Sequence, residues 1–312
     1  MGDGFGQMIL GIPRVKPMLA TVAKEPFDDD AWTFEIKLDG YRCLAYVTKD
    51  ECYLDSRNGK PLLPRFPRLS AMSAGLRASS ALLDGEIVAV KDGKVDFSYL
   101  RTEPAAVSFV AFDLLHLDGR DLLTTPLKRR VALLRDVYSW DHLVTLSQST
   151  VGQGKALFGF AKDRDLEGII AKDLDSLYFP GARTKDWLKI KNTKEDCFLV
   201  VGFLPSSGRR LGSLLIAKEN DGYLEVVGRV GSGLNHQHEK ALLRVLRAVD
   251  APAQTIAASA GLTRSESRCC QWVEPFYGVE VSYTEITPDG RLRHPVFRGL
   301  VSKNTIARRF LP

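Results

Sequence analysis

Hydrophobic and polar positions alternate with a period of two through much of the chain, in short runs rich in β-branched and aromatic residues. That pattern predicts strands at 32–38, 41–47, 51–57, 82–90, 108–114, 143–147, 167–172 and 187–191. Three stretches carry apolar residues at helical spacing instead: 66–78, 126–138 and about 155–164. Thr125 is the expected N-cap of the second, with Pro126 at the first helical position. Strands in runs with helices between them, without strict βαβ alternation, predict an α+β domain built mainly on antiparallel sheets. Residues 1–30, with their Gly, Pro and the acidic Asp28-Asp29-Asp30, read as irregular.

The pattern changes near Asn192. Beyond it come short strands with Gly and Pro turns, at 197–203, 211–217, 222–229, 270–274 and 278–285, and an amphipathic helix at 239–249. Five strands and one helix suit a small barrel, for which an OB-fold is the natural candidate. The boundary is placed at 192–196, giving domains 1–193 and 194–312.

Composition narrows the picture without deciding it. The chain has 312 residues, 45% hydrophobic and 26% charged, close to the globular average, so neither disorder nor membrane residence is indicated. No apolar run approaches the ~18 residues that span a bilayer, and residues 1–17 do not read as a secretory signal. Five cysteines without a C-x-x-C pair suggest neither a disulfide framework nor a zinc ribbon, so a reducing cytoplasm is expected. The net charge of +5 leans toward polyanionic partners, and most of the excess lies after residue 193.

Candidate chemistry is concentrated in Glu35-Ile36-Lys37-Leu38-Asp39-Gly40-Tyr41-Arg42. Alternation puts Glu35, Lys37 and Asp39 on one strand face ahead of a turn. Such a face is commonly solvated, with exposed ion pairs worth roughly 0–1 kcal/mol. A lysine can also serve as a covalent nucleophile when its surroundings favour the neutral amine. Glu86 is carried into the apolar strand Leu83-Asp84-Gly85-Glu86-Ile87-Val88 and needs a partner there, and Glu167 repeats that design. Arg57 ends a strand before a turn, and Lys189 and Lys191 share a face where like charges repel unless an anion lies between them. One nucleophile candidate, two cation-binding carboxylates and several phosphate-binding cations fit phosphoryl or nucleotidyl transfer. Neither a P-loop nor a dinucleotide fingerprint is present.

Lys37-Leu38-Asp39-Gly40 matches the K-x-D-G signature of the covalent nucleotidyltransferases. Arg57, Asp84-Gly85-Glu86, Phe109-Val110-Ala111-Phe112-Asp113, Glu167-Gly168 and Lys189-Ile190-Lys191 fall in order where that superfamily's later motifs belong. Within it the chain resembles the ATP-dependent DNA ligases, especially the ligase module of bacterial non-homologous end-joining enzymes. That likeness is carried by Glu35, Tyr178-Phe179-Pro180-Gly181-Ala182-Arg183-Thr184 and Arg291-Leu292-Arg293-His294-Pro295-Val296-Phe297.

The resemblance implies a nucleotidyltransferase (adenylation) domain with antiparallel sheets and flanking helices, followed by a β-barrel OB-fold domain. It implies sealing of nicked duplex DNA by a lysyl-AMP on Lys37, with ATP and Mg²⁺ or Mn²⁺ as cofactors. Glu35 is expected to read the adenine amino group, Phe112 to stack on the ring, and Arg42 and Glu86 to face the ribose. Arg57 and Arg183 are assigned to phosphates, and Lys189 and Lys191 to the α-phosphate. Glu167 is the first choice for the metal and Glu86 the second. Arg209, Arg210 and Arg229 are assigned to the duplex backbone, and Arg293 and Arg298 to the ATP phosphates or the DNA. His236 and His238 read as surface residues of a polar turn. A monomer is expected, cytoplasmic and nucleoid-associated, with a DNA end-binding protein and polymerase or nuclease modules as partners and no membrane.

The chain departs from the family at Gly299-Leu300-Val301-Ser302-Lys303-Asn304, which lacks the usual acidic residue; this implies a weaker first step rather than lost sealing. The alternatives are an RNA ligase, a GTP-using capping-type guanylyltransferase, and a catalytically degenerate DNA-binding protein.

Overall fold

A computed structural model describes residues 7–91, 94–95, 99–102, 107–220, 223–249, 256, 260–287 and 289–301. Packing divides the chain between Asn192 and Thr193. The first unit is built on two sheets. One has seven strands, along the path Arg120–Asp121, Val107–Leu117, Ser80–Lys91, Tyr41–Thr48, Cys52–Ser56, with Val144–Leu146 and Lys94–Val95 attached at its sides. Alternation sends Cys43, Ala45 and Val47 to one face, where they join Leu83, Ile87 and Phe109 in a core. The Pro67–Gly75 3-10 helix and the Leu127–Val137 α-helix cover that core through Leu69, Met72, Leu134 and Val137. The opposite face carries Arg42 paired in register with Glu86, and Leu44 paired with Asp84.

The second sheet has five strands, ordered Ser149–Val151, Trp32–Ile36, Gly168–Asp173, Arg183–Lys191, Leu19–Val22. Phe34, Ile169, Ala171 and Ile190 point to one side and pack on Ala161 of the Gly154–Asp163 helix. The period of two therefore sends their neighbours to the other side. There Glu35, Ile170 and Lys189 lie in register across three strands, with Lys172 opposite Trp187 in the next row. Trp187 and Phe112, from different sheets, meet edge-to-face at 6.2 Å in a shared apolar cluster with Tyr178 and Met18. The two sheets thus face each other, and the cleft between their polar positions is the site described below.

Sequence and structure differ at several points. Residues 1–30 are not wholly irregular: Met8–Ile9 pairs with Ile12–Pro13, and Leu19–Val22 forms a parallel edge strand on Arg183–Lys191. The helix expected at 66–78 is a 3-10 segment, where Pro67, two serines and Gly75 leave little α preference. Pro126 is the cap of the Leu127–Val137 helix, with ψ 143, and Thr125 lies outside it. A side-chain cap is unnecessary because the Leu127 and Lys128 N–H groups donate to the Ser176 and Leu174 carbonyls at 2.9 Å each.

The second unit is one six-stranded sheet: Tyr223–Val230, Arg209–Asn220, Lys194–Ser206, Gly278–Tyr283, Val296–Val301, with Gln271–Trp272 on the third strand. Its edges meet, since the Phe297 N–H donates to the Ser232 carbonyl at 2.9 Å and Leu292 to Val227 at 2.7 Å. The sheet curls around Phe198, Val200, Leu214, Ile216, Val279 and Val281, as an OB barrel does. The strand Val296–Val301 was not expected, because Arg298 and Gly299 break its alternation. His236 and His238 open the helix His236–Val245 rather than occupying a turn: Asn235 caps it reciprocally with His238, whose ring lies 4.9 Å from Phe297. A further helix, Arg264–Cys269, starts at a Thr263–Glu266 capping box. No described helix is long and apolar enough to cross a membrane. Ser302, Lys303 and Asn304, where the chain departs from the family motif, lie outside the described residues.

Candidate active site

Lys37 follows directly on the Trp32–Ile36 strand and is fastened at both ends to one segment. Its N–H donates to the Gly168 carbonyl at 2.9 Å, and its Nζ donates to Glu167. The turn after it presses on the Ser80–Lys91 strand. A Cβ at Gly40 would strike the Ile87 carbonyl and stand 2.8 Å from Glu86 Cγ, so only glycine fits there. That close approach places Glu86 and Lys37 on the wall of one cleft.

At one end of the cleft a buried ion pair meets an aromatic surface. Glu35, 5% exposed, accepts from Lys172 Nζ at 2.8 Å and from Ser147 Oγ at 3.0 Å. Lys172, 2% exposed, holds its Nζ 4.1 Å from the Phe112 ring centroid and 4.7 Å from that of Trp187. The Arg42 guanidinium lies 4.5 Å from the same Phe112 centroid. Arg42, expected to face the ribose, is held by the fully buried Asp84 through two bonds of 2.6 and 2.7 Å. Tyr178 completes that network: its hydroxyl donates to Asp84 at 2.6 Å and accepts from the Met18 N–H at 2.9 Å. Burial, reinforced by the Asp84 charge, keeps the Tyr178 phenol protonated far above its ordinary range.

Cations converge on the rest of the cleft. Lys189 titrates below its ordinary value, first because it is buried and then because Arg183, Lys191, Lys37 and Arg57 surround it. Arg57, Arg183 and Lys189 line the cleft, and Arg183 is steadied by donating to the Ala20 carbonyl. Lys191 lies two residues along the same strand face, opposite Gly168. Positive side chains forced this close are stabilised by an anion, and a polyphosphate suits them.

Two carboxylates could serve a metal. Burial pushes Glu86 up to about 7, with Arg42 and Lys37 opposing and the charges of Asp84 and Glu167 adding to the rise. Among the described residues no group of three or more His, Cys, Asp and Glu side chains is placed to hold an ion by itself. Glu86 and Glu167 fit Mg²⁺ in the manner of nucleotide sites, where one or two carboxylates share the ion with substrate phosphates and water.

The barrel arginines have partners of their own. Arg209 lies 3.5 Å from Glu239, Arg229 pairs with Glu266, and Arg293 bonds Glu285 at 2.7 Å. Arg298 donates to Ser282 Oγ at 2.9 Å and lies 3.4 Å from Glu195, while Arg210 is exposed. Local sequence does not single out Lys172, Ser147 or Trp187, and Tyr178 stands out only within its motif. Parity along 167–172 puts Lys172 on the face of Ile170, but nothing local tells that this face is buried.

A family model described as ATP dependent DNA ligase domain matches residues 17–191, and another, ATP dependent DNA ligase C terminal region, matches 207–303. The chain is 34% identical over 303 residues to the multifunctional non-homologous end joining DNA repair protein LigD of Mycobacterium tuberculosis, covering 94% of this chain and 39% of that protein. It is 30% identical over 299 residues to the LigD of Pseudomonas aeruginosa, covering 92% of this chain and 35% of that one. It thus spans less than two fifths of the length of these curated relatives. The crystal structure of the ligase domain from M. tuberculosis LigD is 32% identical, with a TM-score of 0.55 and coverage of 93% of this chain and 95% of that one. A mycobacterial DNA ligase D complexed with ATP and MES is 32% identical, with a TM-score of 0.56 over 92% and 95% of the two chains.

Proposed function

Because the chain belongs to the ATP-dependent DNA ligase family, we propose that it seals 5′-phosphate/3′-hydroxyl nicks in duplex DNA through a lysyl-AMP on Lys37. The observation that carries this reading is the cleft itself. Lys37 lines it together with Glu35 and Phe112 and with the cations Lys189, Arg57 and Arg183.

Lys37 Nζ, oriented by Glu167, attacks the α-phosphorus of ATP as the neutral amine, its protons passing to Glu167 and on to solvent. The P–N bond forms, the bond to the bridging oxygen breaks, and pyrophosphate leaves. Lys189, Lys191, Arg57 and Arg183 bind the phosphate oxygens and offset the charge that grows on them. Glu35, held by Lys172 and Ser147, presents carboxylate oxygen to the adenine amino group, and Phe112 offers its ring to the base. Glu86 and Glu167 would hold a Mg²⁺ ion, which would supply further neutralisation of charge in the transfer. The adenylyl group then passes to a 5′-phosphate, and the 3′-hydroxyl displaces AMP as the new phosphodiester forms. A place in end joining, beside a DNA end-binding protein and polymerase or nuclease modules, draws support from the LigD relatives.

The test is incubation with α-labelled ATP or GTP followed by denaturing electrophoresis, and then sealing of nicked DNA against nicked RNA. An adduct from ATP and sealing of DNA are expected. An adduct from GTP alone, or sealing of RNA alone, refutes the reading.

A further inference from the structure

Arg14 belongs to none of the motifs above, yet two of its three guanidinium nitrogens are spent on one turn and the strand that leads into it. Nε and Nη2 grip the two Asp55 oxygens at 2.7 and 3.0 Å, Nη2 also donates to the Gly59 carbonyl at 2.9 Å, and Nη1 reaches Gln7 Oε1 at 2.8 Å. Asp55, 2% exposed, lies near the end of the Cys52–Ser56 strand, and Gly59, at φ +73, turns the chain back. Arg57 sits between these two anchor points and lines the cleft. The turn's other bonds, Gly59 N–H to the Ser56 carbonyl and Ser56 N–H to the Lys60 carbonyl at 2.9 Å each and Lys60 N–H to Ser56 Oγ at 2.8 Å, are local to it. The Arg14 fork ties the turn to a distant segment.

We propose that Arg14 is a positioning residue for Arg57: it fixes the turn so that the Arg57 side chain meets phosphate in the cleft. This rests on the reading of the cleft as a nucleotide site. Without the fork, Asp55 loses its cation and the turn can swing, and displacement of a contact by about 1 Å can cost 10²-fold in rate. Lysine cannot replace the fork, because a point charge does not span two partners in fixed geometry.

The test is the rate of labelled adduct formation from ATP for the full chain, with a melting curve for each variant. Arg14→Ala is expected to slow it by about 10- to 100-fold, with Arg14→Lys closer to Arg14→Ala than to wild type. Arg57→Ala is expected to be at least as slow, and the double variant no slower than Arg57→Ala alone. A double variant slowed by the product of the two single factors would show that Arg14 acts elsewhere and overturn the proposal. So would an Arg14→Ala as fast as wild type beside a slow Arg57→Ala. If Arg14→Ala does not fold, Arg14→Lys carries the same cycle. A wild type that forms no adduct overturns the functional reading, and the proposal with it.

Discussion

Replacing Lys172 by methionine isolates the buried ion pair at the acidic end of the cleft. Glu35 keeps only 7% of its side chain exposed and has two partners, Lys172 at 2.8 Å and Ser147 at 3.0 Å. Removing the cation leaves a buried carboxylate with one hydroxyl, and breaking a buried pair in this way costs about 3–5 kcal/mol. The contacts of Lys172 Nζ with the Phe112 and Trp187 rings are lost as well. For a unit the size of Met1–Asn192, each kcal/mol moves the melting temperature by about 2–4 °C, so a fall of roughly 6–20 °C is expected by calorimetry. Glu35→Gln combined with Lys172→Met removes both charges and should recover most of that loss, because a neutral pair carries no stranded ion. A single variant within about 1 kcal/mol of wild type, or a double variant no more stable than the single, would refute the reasoning.

Glu86 titrates near 7 in the folded protein against an ordinary 4.5. The stability it contributes is therefore full below 4.5 and lost as pH rises through 7. At 1.36 kcal/mol per unit the loss is at most about 3 kcal/mol. Glu86→Gln should gain on wild type in denaturant melts between about pH 5 and about pH 8 while forming less adduct; parallel stability curves contradict this. Tyr178→Phe removes the donor to Asp84 and leaves the Met18 N–H without that acceptor. A loss of about 1.5–3 kcal/mol is expected, with a raised KM for ATP as Arg42 loosens, and unchanged stability speaks against the network.

The site was legible wherever chemistry and parity lie within one short segment. Glu86 and Lys189 stand out as charged positions within strands, Lys37 and Glu167 as charged positions at strand ends, and Gly40 as the turn after Lys37. Lys172 did not stand out, because its partner Glu35 is 137 residues away and only the assembled five-stranded sheet brings them together. The same long-range pairing hid Leu19–Val22, whose strand character comes from lying beside Arg183–Lys191. In the barrel, charge nominated Arg229, and the carboxylate that pairs with it, Glu266, lies on a separate helix 37 residues away. Arg42 was legible as a cleft residue but its Asp84 clamp was not, since it needs the register between two strands.

The central claim is that Lys37 carries the adenylyl group, and peptide mass spectrometry after incubation with ATP and Mg²⁺ tests it directly. The account predicts one adenylyl group on the peptide containing Lys37, removed by added pyrophosphate and absent from Lys37→Ala, which also fails to seal a 5′-phosphate nick. An adenylyl group found instead on Lys189 or Lys191, or sealing of such nicks by Lys37→Ala, would contradict it.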